Sequence, residues 1–361
     1  MTSGGGRQAG YSLIELLVAT VLVAIGGFMV LSVVSHGFRV ARARPEAGDL
    51  HQRLRVAVEM MKADLRLAGA GLVHGDGAGP LVQYLAPIVP ARTGALSPDP
   101  DLSAFGDRIT ILYVPEGGWR APLAADMADP AGAVPVDAAA STCPSSGLCG
   151  FLEGSRAILI DRSGPGVGHD IFTVTGIAGV LARGAPNPLL SRPYSAANTL
   201  LLPVVQRVYY LDRAHRRLML YDGYLSDLPL VDNVADLSFT YYGSPSAMDV
   251  PWPADGAGSC VFSAAPPAAL LMDHAGSAPR VIGLAELQDG PVCGTGPGRF
   301  DGDLLRIRQV RIRLRVEAGA DDLRAGGPAY ARAGTSSGGE SAIPDYEVSF
   351  DVSPQNLWPI R

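Results

Sequence analysis

Between Tyr11 and Val34 the chain carries one charged side chain, Glu15, in a run otherwise made of apolar and small residues. As a helix rising about 1.5 Å per residue, such a run spans roughly 36 Å, enough for a bilayer's hydrocarbon core with some tilt. A carboxylate placed in lipid costs at least about 2.5 kcal/mol, and the run contains no Lys or Arg to answer it. Cutting the chain after Gly10 would supply the missing cation. Tyr11 would then carry a free amine, with Glu15 four residues later on the same helical face. A new helix start also exposes N–H groups and the positive end of the macrodipole, which favour an acid by about 0.3–1 kcal/mol at exposed sites. Glu15 therefore reads as an assembly residue, answered by an amine of its own chain or of a neighbouring copy.

A short polar leader ending in glycine (Met1 to Gly10), an aromatic next residue, then Ser12-Leu13-Ile14-Glu15 and an apolar helix resembles the class III signal of type IV pilins and type II secretion pseudopilins. The resemblance implies cleavage after Gly10 by a prepilin peptidase and N-methylation of Tyr11. It also implies that Glu15 pairs with the methylated N-terminus of an adjacent subunit during filament assembly. An ordinary signal peptide would show small residues at a cleavage site after the apolar core, and Ser32-Val33-Val34-Ser35-His36 is a poor one. Further on, Leu50-His51-Gln52-Arg53-Leu54-Arg55 and then Met60-Met61-Lys62-Ala63-Asp64-Leu65-Arg66-Leu67-Ala68-Gly69-Ala70-Gly71 are similar to the helix close of PilW-like minor pilins. Arg207 to Leu211, Leu218 to Tyr221 and Val234 to Tyr242 are similar to a strand series shared by PilW and the J-type pseudopilins. Chain length favours the PilW type, because J-type pseudopilins are usually much shorter.

With 361 residues, 47% hydrophobic and 18% charged, the chain can bury a large core. Its net charge of −6 argues against a nucleic-acid-binding surface. Flanking charge conflicts with export: the leader offers Arg7 and the α-amine, whereas Arg39, Arg42 and Arg44 follow the apolar run. By resemblance the cut site faces a cytoplasmic-side peptidase, which overrides that asymmetry and puts the body outside the inner membrane. Cys143, Cys149, Cys260 and Cys293 agree with an oxidising compartment. Cys143 and Cys149 flank a turn-rich segment and Cys260 and Cys293 would brace a longer loop, but four cysteines allow three pairings. Buried thiols and a four-thiolate zinc site are the alternatives, the latter without the usual spacing of roughly two to four residues.

Pro45 is expected to end or kink the first helical segment. From Glu46 the pattern resumes: Leu50, Leu54, Val58, Met61 and Leu65 form one apolar stripe and Arg53, Arg55, Glu59, Lys62 and Arg66 lie off it. Gly69 and Gly71 stop the helix. Residues 108–114, 157–160, 171–175, 205–211, 217–221, 236–242, 307–316 and 346–352 read as strands between Gly/Pro/Asp punctuation. The last two alternate cleanly, with Arg311, Arg313 and Arg315 on one face of the first and Glu347 and Asp351 on one face of the second. Pairing of these two strands would set acid against base and account for the arginine stripe without DNA.

Signatures of chemistry are sparse. The six histidines form no paired motif, no nucleophile elbow occurs, and the single lysine, Lys62, follows no phosphate-binding glycine loop. Asp99-Pro100-Asp101 and Asp301-Gly302-Asp303 have the composition of calcium ligands but continue into no EF-hand-like loop, so they read as solvated turns.

The expected fold class is α+β and pilin-like: a long N-terminal helix packed on an antiparallel sheet with long loop insertions. Residues 1–10 form the leader, 11–35 the transmembrane helix, 36–71 its amphipathic continuation, and 72–361 a β-rich body with insertions at about 72–204 and 243–300. The expected function is that of a non-catalytic minor pilin of a type IV pilus, in a priming or tip complex, with no cofactor and no metal. The expected partners are prepilin peptidase, other minor and major pilins, the inner membrane, and an adhesin or tip protein. The rival expectations are a J-type pseudopilin of type II secretion and a membrane-tethered extracytoplasmic enzyme or binding protein.

Overall fold

The computed structural model describes residues 12–71, 81–83, 85–115, 119–140, 148–161, 169–184, 187, 189–244, 279–290, 292–293, 299–319 and 345–357, and side chains within that set except at 35–44. An N-terminal helix is followed by antiparallel sheets, an α+β arrangement with long loops. The chain divides into two compact units: residues 1–52 with 317–345, and residues 53–316 with 346–361.

The helix, α1 (Leu13–Leu67), runs without interruption through Pro45. Proline there removes one intrahelical donor and does not end the helix, contrary to one of the two expectations for it. In the first unit, the backbone N–H of Gly319 donates to a carboxylate oxygen of Glu46.

The apolar stripe is buried as its spacing requires: Leu50, Leu54, Val58, Met61 and Leu65 are all inside, joined by Ala57 and Ala68. The charged positions Arg55, Glu59 and Arg66 face solvent. Gly69 ends the helix in the left-handed region (φ +77°), and a Cβ there would meet Leu357, Pro87 and the Asn356 carbonyl at 3.1–3.2 Å. Its N–H donates to the carbonyl of Leu112 at 2.9 Å, carrying the chain directly onto a sheet.

In chain order the strands are β1 (Ile88–Val89), β2 (Arg108–Tyr113), β3 (Val134–Pro135), β4 (Arg156–Asp161), β5 (His169–Thr173), β6 (Gly176–Ile177), β7 (Val180–Ala182), β8 (Thr199–Pro203), β9 (Val205–Asp212), β10 (Arg217–Tyr221), β11 (Asp227–Asp232), β12 (Val234–Gly243), β13 (Arg280–Ile282), β14 (Val292–Cys293), β15 (Phe300–Asp301), β16 (Ile307–Val316) and β17 (Tyr346–Val352). They form a five-stranded sheet in the order β1-β2-β9-β10-β11 and a four-stranded sheet in the order β13-β12-β16-β17. Two three-stranded sheets, β5-β4-β8 and β3-β7-β6, and the pair β14-β15 complete the set. Residues 81–204 thus do more than loop out, since they supply β2 to the five-stranded sheet and build a second apolar cluster around Phe151, Leu159, Phe172 and Leu201.

Strands β16 and β17 pair antiparallel with Arg311 opposite Asp351 and Arg315 opposite Glu347. Arg311 Nε lies 2.7 Å from Asp351 Oδ1, and this hydrogen bond holds the Asp351 carboxyl below its ordinary range. On its other side β16 pairs with β12, placing Asp236 opposite Arg315, Ser238 opposite Arg313 and Thr240 opposite Arg311. The arginine stripe is therefore bordered by acids and hydroxyls on both neighbouring strands.

Candidate assembly site

Helix α1 opens with Ser12 as its N-cap. The Glu15 N–H donates to Ser12 Oγ at 3.2 Å, and the Ser12 N–H donates to Glu15 Oε2 at 3.1 Å. This reciprocal pair is a capping box, a short polar side chain three residues ahead of a Glu, and it satisfies two of the N–H groups that every helix start leaves open. The sequence Ser12-Leu13-Ile14-Glu15 carries that signature, and the hydropathy reading of Glu15 passed over it. Glu15 is thus held by its own chain at one oxygen. The second, Oε1, has no hydrogen bond among the described residues. Gly10 and Tyr11, the expected processing and methylation positions, lie outside the described residues.

Beyond the cap, Leu13–Val34 is a 22-residue apolar segment, none of it buried among the described residues. Phe28 and Val23 are about three-quarters exposed. A segment of this length is apolar enough to cross a membrane. Added Cβ atoms on Gly26 and Gly27 would meet nothing within 4 Å, so this face has room for close approach of another helix.

The far end of α1 is anchored by one acid. Asp64 accepts the hydroxyl of Tyr113 at 2.9 Å through Oδ1 and that of Tyr209 at 2.5 Å through Oδ2, with Arg207 Nε at 4.0 Å. Burial, reinforced by the Asp64 charge, pushes the Tyr113 hydroxyl up to about 12 and moves that of Tyr209 further in the same direction. Lys62 Nζ lies 5.1 Å from the ring centroid of Phe350 on β17. Asn356 Nδ2 donates to the Arg66 carbonyl at 3.4 Å. The last two turns are thereby locked to β2, β9 and β17 by polar contacts as well as by the apolar stripe.

Residues 5–31 match a family model described as the prokaryotic N-terminal methylation motif. No curated protein and no solved structure matches the chain. The motif, the class III signal of type IV pilins, indicates a type IV pilin-like or pseudopilin precursor. It implies processing by prepilin peptidase and association with pilins. Together with the exposed apolar helix it fits membrane anchoring with an extracytoplasmic body.

Cys149 and Cys293 are both disulfide-bonded, while Cys143 and Cys260 lie outside the described residues. The two acidic turns are occupied by the fold. Asp99 accepts from Arg108 Nη1 at 2.8 Å and from the Arg92 N–H at 2.6 Å. Asp301 caps the short 3-10 helix Gly302–Arg306 through the Asp303 N–H, and Asp303 pairs with the buried Arg306 at 2.7 Å. Among the described residues no group of three or more His, Cys, Asp or Glu is placed to hold a metal ion.

Proposed function

We propose that the chain is a minor pilin of the PilW type, a non-catalytic assembly subunit of a type IV pilus in its priming or tip complex. Prepilin peptidase cuts after Gly10, Tyr11 is N-methylated, and the helix waits in the inner membrane with the body outside it. The reading rests on one conjunction: the methylation motif at residues 5–31 overlies a 22-residue apolar helical segment that is not buried among the described residues. A helix hydrophobic on all sides is stable only in lipid or against other helices. Entry into a filament exchanges the first environment for the second.

Glu15 guides that exchange. In the isolated chain its carboxylate is shared with the Ser12 N–H, which lowers the cost of keeping an acid at the membrane edge. A methylated amine of a neighbouring subunit offers a full charge and so a stronger partner than one backbone N–H. Filament incorporation measured by immunoblot of sheared pili tests this. Glu15→Ala should abolish incorporation while the protein remains in the membrane fraction, and unchanged incorporation would contradict the role assigned to Glu15.

A further inference from the structure

Within residues 53–316 lies a cavity of about 320 Å³, the size of a small-molecule site. Residues of β2, β4, β5 and β9 line it, with parts of the segments 98–103 and 299–304 and none of α1. Leu112, Ile171, Leu287 and Leu304 make much of its wall apolar.

Two arginines stand on this lining. Arg299 pairs with Asp101 at 3.2 Å. Arg156 on β4 forms no ion pair with an acid among the described residues. Its Nη1 donates to Thr173 Oγ1 and to the Gly223 carbonyl, both at 3.0 Å, and its Nη2 donates to Gln206 Oε1 at 2.7 Å. All three acceptors are neutral, and the buried Nε meets no acceptor among the described residues. Burial lowers the Arg156 pKa to about 10, against smaller raising effects of Tyr221 and Asp222. The Asp222 Oδ1 is itself taken by the N–H groups of Tyr224 and Ser226. A guanidinium held by neutral acceptors beside an apolar space gains most from a negative charge brought to it.

The acids around the same space are answered elsewhere. Asp99 pairs with Arg108 at 2.8 Å, and Asp301 accepts the N–H groups of Gly290 and Asp303 at 2.6 and 2.8 Å. Asp170 accepts from the Tyr194 hydroxyl and from Ser191 Oγ, both at 2.8 Å. Their charges still border the cavity and would repel a dianion about twice as strongly as a single charge. His169 adds no cation to offset them, because burial lowers its pKa to about 4 and leaves the ring neutral. One negative charge on an apolar body is therefore what the lining selects, and a planar guanidinium suits a carboxylate.

We propose that this cavity binds a small monocarboxylate with a hydrocarbon body, its carboxylate beside Arg156 and its hydrocarbon against Ile171, Leu287 and Leu304. The inference is independent of the pilin reading, because it uses no residue of α1.

Isothermal titration of the full chain in phosphatidylcholine nanodiscs tests it, with the heats of empty nanodiscs subtracted. Hexanoate, neutral hexanamide, cationic hexylamine and dianionic hexyl phosphate share one hydrocarbon body, and acetate is the carboxylate without it. Hexanoate should bind, with hexanamide and hexyl phosphate weaker by at least about tenfold, the equivalent of ~1.4 kcal/mol. Hexylamine and acetate should give no binding heat. Arg156→Gln should remove hexanoate binding, and so should Ile171→Trp, which fills the wall and leaves the Arg156 hydrogen bonds in place. The head-group series is run on the native chain, so it decides the charge selection whether or not either variant folds. No binding of hexanoate, equal binding of hexanamide, tighter binding of hexyl phosphate, or hexanoate binding that survives in folded Ile171→Trp would overturn the proposal.

Discussion

Asp64 carries more of the body's architecture than any other single acid in α1, because two tyrosine hydroxyls from β2 and β9 converge on it. Hydrogen bonds to a charged group contribute roughly 1.5–3 kcal/mol each, and losing the acceptor leaves both hydroxyls without it. Asp64→Ala should destabilise the body by about 2–4 kcal/mol in urea unfolding, and a cycle with Tyr209→Phe should show strong coupling. Additive losses would contradict the shared acceptor. His169 contributes to acid sensitivity in the same body. Its folded pKa of about 4 lies below the unfolded value of about 6.5, so the unfolded chain binds the proton first. The stability from the neutral ring is complete above pH ~6.5 and is lost as pH falls toward ~4, by up to roughly 3 kcal/mol. Asp170 and Asp301, both raised mainly by burial, act in the opposite direction over part of that range. Comparison of the native chain with His169→Gln therefore isolates the histidine: the variant should lose less stability between pH 7 and pH 4.5, and parallel curves would contradict the assignment.

At the scale of elements, the capping box makes a local claim. Ser12→Ala should cost about 0.5–2 kcal/mol of first-turn stability and speed hydrogen exchange at the Glu15 amide, while Ser12→Thr should retain protection. Equal exchange in all three chains would contradict the cap. The strands divide by how much their own residues say. β16 and β17 have the bounds that their alternation predicts, because one face of each is apolar and the other charged or polar, and β10 also has its expected bounds. β11 was not legible: it contains Pro229, which disfavours a strand, and it survives as the edge of its sheet with a register shift opposite the proline. β8, three leucines between Thr199 and Pro203, shows no alternation because four of its five residues are buried. The Asp64 anchor was equally hidden, since its tyrosines lie 49 and 145 residues away and only the tertiary fold brings them together. Ser12 and Glu15, three residues apart, were legible as a cap from the start.

Across the whole molecule, two features of one chain serve different environments. An exposed apolar helix start is unstable in water, and the sheet-bearing body buries its apolar residues in cores of its own. The motif at residues 5–31 overlies the start of that helix, and in the proposed reading a cut after Gly10 makes a new N-terminus there. The pilin reading therefore stands on chemistry at one bond. The direct test is the intact mass and N-terminal sequence of the chain purified from membranes that contain prepilin peptidase. The account predicts a chain shortened by its first ten residues that begins with N-methyl-Tyr11. An N-terminus at Met1, or a cut at any bond other than Gly10–Tyr11, would contradict it.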